Sequence, residues 1–92
     1  MAEPAHEPDA IRVTIRYFAA AQAAADAESE TLRLYSGATV ADLVETLATR
    51  DARLATVLRR CSYLCDGIAV RDETKALQDG DTIDVLPPFS GG

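Results

Sequence analysis

The sequence predicts an α+β domain in which one main helix packs across a mixed sheet. Three segments alternate apolar and polar residues, the period of a strand that buries one face; they are residues 11–17, 31–35 and 82–86. One longer segment, residues 39–50, carries apolar residues at helical spacing. Such a helix must bury its apolar stripe, and a small sheet provides the surface. The 92 residues suffice for one domain of this kind.

The first strand leads into an alanine-rich segment. Phe18 precedes residues 19–25, which are all alanine except Gln22. Alanine favours helix, but a helix this short is marginal without tertiary packing. We therefore predict a short helical turn at one end of the sheet. The acidic segment of residues 26–30, Asp-Ala-Glu-Ser-Glu, is predicted to form the loop that leads into the second strand.

Thr39 and Asp42 mark the start of the main helix. A threonine followed three residues later by an acidic residue matches a capping box, and an acidic residue in the first turn also suits the helix dipole. The apolar stripe that should face the sheet consists of Val40, Leu43, Val44 and Leu47. Residues 51–60 are compatible with a second short helix.

The second half of the chain predicts a hairpin and a last strand. Asp66-Gly67 lies between two apolar runs, residues 62–65 and 68–70, which is a strong signal for a tight hairpin turn. Residues 71–75 are predicted to form an exposed loop with Leu77 tucked beneath it. The last strand then follows a turn at residues 78–81.

Composition argues against several classes of function. The net charge of −6 disfavours a nucleic-acid partner. No apolar run approaches the roughly 20 residues that a membrane-spanning helix needs. Residues 1–9 are acidic and lack the apolar stretch of a signal peptide. We expect these nine residues to be a disordered, dispensable leader, residues 10–86 to form the domain, and the protein to be cytoplasmic.

The domain offers no self-contained active site. The single histidine, His6, lies in the leader, and neither Cys61 nor Cys65 has an obvious base partner. Two cysteines supply at most two ligands, whereas a structural zinc site needs four. A disulfide is not expected in the cytoplasm, so we interpret both cysteines as small, half-buried core residues. We expect no bound metal or cofactor.

The C-terminal tail, residues 87–92, is the feature that secondary structure does not explain. Its sequence Pro-Pro-Phe-Ser-Gly-Gly directly follows the last strand. Proline favours an extended path, and glycine can enter a channel too narrow for any side chain. A frayed terminus is the alternative interpretation, but such a terminus is more often polar and charged. We therefore predict that the Gly92 carboxylate is the working group, carried into another protein's active site.

The pattern from Asp79 to Gly92 resembles the C-terminus of the MoaD/ThiS sulfur-carrier family. It combines Asp-Gly-Asp, an apolar strand and Pro-Pro-x-x-Gly-Gly. The resemblance extends over residues 11–92 and includes residues 17–20, the start of the main helix and the Asp66-Gly67 hairpin. The paired prolines resemble the small subunit of molybdopterin synthase more than the carriers of the thiazole pathway. The resemblance implies a ubiquitin-like β-grasp fold.

The resemblance also implies a mechanism centred on Gly92. An activating enzyme of the MoeB-like adenylyltransferase type would use ATP to adenylate the Gly92 carboxylate. A sulfur donor would then convert the acyl-adenylate to a thiocarboxylate. The tail would enter a MoaE-like large subunit and deliver sulfur to a pterin precursor of the molybdenum cofactor. The chain would thus be the non-catalytic, sulfur-donating subunit of a sulfurtransferase complex.

The other tail residues are expected to bind the partner. Pro87 and Pro88 would aim the tail, and Ser90 and Gly91 would fit the partner's channel. An exposed aromatic such as Phe89 is typical of an interface anchor, although it could instead cover the edge of the sheet. Apolar residues on the sheet face that the helix leaves open are expected to complete the docking surface.

Three other functions stay open at this point. The chain could carry sulfur for thiamin or cysteine biosynthesis. It could be a ubiquitin-like modifier joined to target lysines through Gly92, in which case Lys75, the single lysine, would be the site of any self-linked chain. It could also be an interaction module whose tail is never activated.

Overall fold

A computed structural model of the chain describes residues 10–88. These residues form five strands and three helices, in chain order β1 (Ala10–Tyr17), α1 (Ala19–Ala25), β2 (Ser29–Tyr35), α2 (Val40–Arg50), α3 (Ala52–Leu58), β3 (Ser62–Cys65), β4 (Ile68–Ala69) and β5 (Thr82–Leu86). The strands make one sheet in the order β2-β1-β5-β3-β4. The predicted α+β class, with a mixed sheet and a main helix packed across it, is confirmed.

Pairing in the sheet is parallel only at its centre. Strand β1 runs parallel to β5, with Tyr17 opposite Val85. It runs antiparallel to β2, with Ala10 opposite Tyr35. Strand β3 is antiparallel to both β5 and β4. The first and last strands of the domain therefore lie side by side, and the end of β5 is flanked on both sides.

The core lies between the helices and one face of the sheet. Alternate strand residues point into it, and all are at most 8% exposed: Ile11, Val13, Ile15, Tyr17, Tyr63, Ile83 and Val85. From α2, Val40, Leu43 and Leu47 pack against them, as the predicted stripe requires. Val44 is only partly buried at the edge of the stripe. Leu54 and Leu58 of α3 complete the core together with Leu77, which is buried as predicted.

Both adjoining helices, α2 and α3, begin at capped residues. The Thr39 hydroxyl accepts a hydrogen bond from the Asp42 backbone N–H at 3.1 Å, and the Thr39 N–H donates to Asp42 Oδ2 at 2.9 Å. This reciprocal pair is the predicted capping box. Asp51 Oδ1 accepts from the backbone N–H of Arg53 at 2.8 Å and so caps α3. Because each cap satisfies otherwise unpaired N–H groups, the chain turns between the helices without a linker.

The prediction of a loop over residues 26–30 is wrong for the last two residues, because β2 already begins at Ser29. Glu30 points toward the helix side of the sheet, where the Tyr17 hydroxyl donates to its Oε2 at 2.6 Å. Arg50, in the last turn of α2, donates from Nη1 to Oε1 at 2.9 Å and from Nη2 to Oε2 at 2.6 Å. These partners let a strand accommodate a carboxylate at an inward position, which the acidic sequence alone does not reveal.

The Asp66-Gly67 turn joins β3 and β4 as predicted. Both residues have positive φ, 50° and 85°, as a two-residue hairpin turn requires. The Asp66 carboxylate also accepts from the Thr82 N–H at 3.0 Å, which ties the turn to the start of β5. Within residues 10–88, no helix combines the length and the apolar character that crossing a membrane demands.

Truncation of the α2 stripe is expected to destabilise the domain strongly. Leu43 and Leu47 are 0% and 1% exposed, so Leu43→Ala or Leu47→Ala should each lower the free energy of unfolding by about 2–5 kcal/mol. Urea denaturation measures the change. Glu45→Ala, an exposed position on the same helix, is the control and should stay within about 0.5 kcal/mol of wild type. Losses that small at both leucines would contradict the packing.

The contacts of Glu30 with Tyr17 and Arg50 are expected to make the free energy of unfolding depend on pH in the acidic range. Hydrogen bonds from Arg50 lower the pKa of Glu30 below its ordinary value of 4.5, against burial and with help from Tyr17. A lowered folded-state pKa means that the stabilisation is complete above the unfolded pKa and disappears as the pH falls through the folded pKa.

Glu30→Gln should therefore cost about 1 kcal/mol near pH 7, a modest value because the Arg50 side chain is 44% exposed. The difference from wild type should shrink below about pH 4. Thermal unfolding of both proteins at several pH values measures it, with Glu45→Gln as the exposed control. An equal difference at pH 3 and pH 7 would mean that the ion pair does not cause it.

Candidate functional site

The candidate site begins where the C-terminal tail leaves the sheet. Strand β5 ends at Leu86, followed by Pro87, which is half-buried, and Pro88, which is exposed. Proline has no backbone N–H to donate, so the ladder of hydrogen bonds ends there. The other predicted site residues, Phe89, Ser90, Gly91 and Gly92, lie outside the described residues.

Backbone contacts on both sides of β5 fix the point where the tail leaves the sheet. On the β1 side, the Phe18 N–H donates to the Val85 carbonyl at 3.3 Å. On the β3 side, Ser62 lies opposite Leu86. Since β5 is held by a strand along each edge, the tail starts from a rigid position rather than from a mobile edge.

The side of the sheet opposite the helices, here called the open face, has an apolar corner beside the exit. It consists of Leu64, Ala69 and Leu86. Leu64 lies opposite Ala69 in β4 and opposite Asp84 in β5. Leu64 and Leu86 are half-buried, and Ala69 is exposed. The apolar corner thus places apolar residues on this face next to the tail, and their role in docking stays a prediction.

Most other positions on the open face are polar. Strands β1, β2 and β5 place there Arg12, Thr14, Arg16, Thr31, Arg33, Thr82 and Asp84, by the alternation of side chains along each strand. Of these positions, Arg12, Arg16, Thr31 and Arg33 are exposed, whereas Thr14, Thr82 and Asp84 are half-buried. The expectation of an apolar open face therefore holds at one corner only.

Arg16 contacts two residues at the point where the tail leaves the sheet, Asp84 and Phe18. Its Nε lies 2.9 Å from Asp84 Oδ1, and the two side chains are 53% and 15% exposed. Its guanidinium carbon lies 5.2 Å from the centre of the Phe18 ring, within the range of a cation–π contact. Asp84 Oδ1 is buried and accepts no hydrogen bond from the described residues, so the contact is ionic without N–H alignment. Arg16 and Phe18 are thereby ordered beside the tail.

The sequence did not single out Arg16 or Asp84. Alternation assigns each to an exposed strand position, but their contact depends on the parallel register of β1 and β5, in which Arg16 lies opposite Asp84. Parallel pairing of strands 60 or more residues apart leaves no local signal in the sequence.

The two cysteines are half-buried, as predicted. The Cys61 thiol donates to the Val57 carbonyl at 3.3 Å, and burial raises its pKa. Burial first, and then the nearby Asp81 carboxylate at 3.5 Å, raise the pKa of the Cys65 thiol to about 11. Both thiols are therefore protonated at neutral pH and are poor nucleophiles.

Cys65, Asp66 and Asp81 bring their ligand atoms within 4.8 Å of one another. These atoms already serve the local turns: Asp66 Oδ1 accepts from the Thr82 N–H, and Asp81 Oδ2 accepts from the Gln78 N–H at 2.9 Å. A metal ion would have to compete with those bonds and with a protonated thiol. The absence of a bound metal stays a prediction.

Comparison with known proteins finds a matching family and a relative for this domain. The model of the ThiS family matches residues 15–92. A molybdopterin synthase sulfur carrier subunit from Chlamydomonas reinhardtii is 31% identical over 83 residues, which cover 89% of this chain and 100% of that protein.

Two solved structures show the same architecture. A putative molybdopterin converting factor, subunit 1, from Pyrococcus furiosus has a TM-score of 0.78 at 27% identity, covering 85% of this chain and 98% of that one. The small archaeal modifier protein 1 from Methanosarcina acetivorans has a TM-score of 0.74 at 27% identity, covering 90% and 98%. The predicted ubiquitin-like β-grasp fold is confirmed.

Cys65 is expected to react slowly with alkylating agents in the folded protein. In a Cys61→Ser variant, a pKa of about 11 leaves little thiolate at pH 8, so alkylation should be about 100-fold slower than in the urea-unfolded chain. Iodoacetamide labelling followed by intact mass measures both rates. Equal rates in the two states would show that the thiol is neither buried nor held protonated.

Proposed function

The chain belongs to the ThiS family, and we propose that it is a sulfur carrier whose Gly92 delivers sulfur as a C-terminal thiocarboxylate. The observation that carries the proposal is that the family match runs through the Pro-Pro-Phe-Ser-Gly-Gly tail, which begins at the end of the central strand. We assign the sulfur to a pterin precursor in molybdenum cofactor synthesis. The 31% identity to a molybdopterin synthase sulfur carrier subunit supports this pathway.

The proposed chemistry takes place at the tail carboxylate. A carboxylate is a poor acyl donor, so a MoeB-like adenylyltransferase first joins it to the AMP portion of ATP and releases pyrophosphate. A sulfur donor then displaces AMP and leaves a thiocarboxylate at Gly92. That group keeps its negative charge, which basic residues of the partner can bind, and presents a nucleophilic sulfur. Because ATP is consumed, the proposal places the protein in the cytoplasm.

The domain contributes position rather than catalysis. Strands β1 and β3 hold the end of β5 in place. Pro87 and Pro88 would continue that direction outward, since proline restricts φ near −65°. Gly91 and Gly92 lack Cβ atoms, so they suit a narrow channel in the partner. The reacting atoms are thereby presented to active sites that the partners provide.

A MoaE-like large subunit is the proposed recipient of the tail. The apolar corner lies next to the exit and would pack against this subunit, while Phe89 would act as the anchor. Burial of Leu64 and Leu86 on docking would place the start of the tail against the partner before its end reaches the active site.

A ubiquitin-like modifier is the second candidate function. The likeness to an archaeal modifier protein at 27% identity favours it. It would use the same activated Gly92 but transfer the acyl group to a lysine, forming an isopeptide bond. Activation of Gly92 is common to both functions, so the nature of the product separates them.

Changes at the end of the tail are expected to abolish sulfur transfer without unfolding the domain. Deletion of Gly92 shortens the tail by one residue, so that its terminal carboxylate would fall short of the partner's active site, and Gly91→Val adds a side chain that a narrow channel would exclude. The wild-type chain, incubated with activating enzyme, ATP and a sulfide source, should gain about 16 Da as sulfur replaces oxygen. Intact mass and pterin product provide the readouts, and circular dichroism verifies the fold.

Several outcomes would redirect the proposal. Full activity of the Gly92 deletion would refute sulfur carriage by the tail. A thiocarboxylate that forms but is not consumed by a molybdopterin synthase large subunit would point to thiamin or cysteine biosynthesis. Isopeptide-linked adducts in cell extract, absent with the Gly92 deletion, would favour the modifier.

A further inference from the structure

The end of the sheet where the tail leaves carries basic residues on one side. Arg59 ends α3, and Arg60 follows it, two residues before β3 begins at Ser62. Since Ser62 lies opposite Leu86, the segment that leads into β3 lies at the end of the sheet from which the tail departs. Both arginines are exposed. They therefore lie beside the start of the tail, on the side of α3.

A third arginine reaches the same end of the sheet from another element. Beyond β4, the Val70 N–H donates to the Tyr63 carbonyl at 2.9 Å, so the antiparallel register with β3 continues past the hairpin. One further step in this register places Arg71 beside Ser62, and Arg71 is exposed as well. We call these three residues the basic rim: Arg59, Arg60 and Arg71.

The fold makes little use of the charges on the basic rim. Arg16 and Arg50 form ion pairs with strand carboxylates. Within residues 10–88, in contrast, none of the three rim side chains makes a hydrogen bond or an ion pair. Arg59 and Arg60 suit the negative end of the α3 dipole, but at exposed positions this effect is worth less than about 1 kcal/mol. It does not apply to Arg71, which follows a strand.

Two acidic residues follow Arg71 directly, but their contacts lie elsewhere. The Asp72 carboxylate accepts from the Thr74 backbone N–H at 2.9 Å and from the Thr74 hydroxyl, which closes its own turn. The Glu73 carbonyl accepts from the Ala41 N–H at 3.0 Å, so the loop turns there toward the start of α2. The positive charge of the basic rim therefore stays at the surface.

The opposite side of the same end of the sheet is acidic. Asp26 and Glu28 are both exposed there, and the Glu28 carbonyl accepts from the Tyr17 N–H at 2.8 Å. The strand order β2-β1-β5-β3-β4 places these acidic residues on the β2 side of the tail and the basic rim on the β3–β4 side. An acidic partner surface would be attracted on one side and repelled on the other, which fixes its orientation.

We propose that the basic rim binds acidic side chains of the enzyme that adenylates Gly92, at the mouth of the channel that takes up the tail. This inference rests on the proposed function and adds the chemistry of one partner's surface to it. In extended form the six tail residues span about 20 Å. The basic rim would therefore contact the surface around the channel rather than the reacting atoms.

The adenylation step has a particular need for such an attraction. A chain with a net charge of −6 must present its carboxylate to a site that also holds the triphosphate of ATP, so like charges oppose the approach. Attraction between the basic rim and carboxylates at the channel mouth would offset this repulsion close to the point where the tail starts. It would act at short range, since salt screens exposed charges beyond about 10 Å.

Charge reversal at the basic rim tests the inference. Arg60→Glu and Arg71→Glu should each raise the KM for the chain in ATP–pyrophosphate exchange by about 10-fold at low salt, because each sets a negative charge against an acidic surface. The kcat should stay within about twofold, since neither residue contacts the reacting atoms. Added salt should narrow the difference from wild type. Exchange is measured with the adenylyltransferase of the same organism, and thermal unfolding verifies the fold of each variant.

Arg12→Glu is the matched control. It makes the same change in net charge at an exposed position near the opposite end of the sheet, five residues, about 17 Å, before Tyr17 on β1. Its KM should stay within about twofold of wild type. Arg60→Lys keeps the charge and should retain most of the affinity. The amine that it introduces should also be joined by a carbodiimide to an aspartate or glutamate of the enzyme, giving a cross-linked peptide absent from wild type.

Four results would overturn the inference. An unchanged KM for both rim variants, with the wild-type chain adenylated normally, would exclude the basic rim and leave sulfur carriage intact. An equal rise for Arg12→Glu would show that net charge, and not the basic rim, controls binding. A loss confined to transfer to the large subunit, with adenylation unaffected, would also contradict it. A wild-type chain that supports no exchange at all would overturn both this inference and the proposed function.

Discussion

The parallel pairing of β1 with β5 is the constraint on which the rest of the structure depends. It brings the two ends of the domain to the centre of the sheet, with Tyr17 opposite Val85 and Arg16 opposite Asp84. The inward residues of both strands fill the core, and the outward residues build the open face. The tail that follows Leu86 consequently leaves from a strand that is paired along both edges.

The two faces of the sheet perform different tasks. On the helix side, Leu43 and Leu47 of α2 pack onto the central strands. Arg50, in the last turn of α2, forms an ion pair with Glu30 of β2. This side holds the fold together. The open face carries exposed arginines and a small, partly exposed apolar corner, and none of these residues belongs to the core.

This separation accords with the proposed function, in which the partners supply the active sites. The half-buried thiols are protonated and bonded within the domain, so they do not compete with the tail as nucleophiles. In the proposed function, the tail carboxylate is the group that partners act on, and the open face lies beside the point where they would approach it. Under that proposal, the domain contributes the position from which the tail starts.

The sequence by itself determined the elements whose signals are local. Alternation identified β1, β2 and β5, the Thr39–Asp42 spacing identified the start of α2, and Asp66-Gly67 identified the hairpin, because each depends on neighbouring residues. The tail motif likewise predicts Gly92 as the reacting residue, which lies outside the described residues. Only the tertiary structure decided that Glu30 enters β2, since the Tyr17 and Arg50 partners that stabilise its carboxylate come from other elements. It also decided that Arg12 meets Arg33 and Arg16 meets Asp84, because strand register is set by long-range pairing that a single sequence does not encode locally.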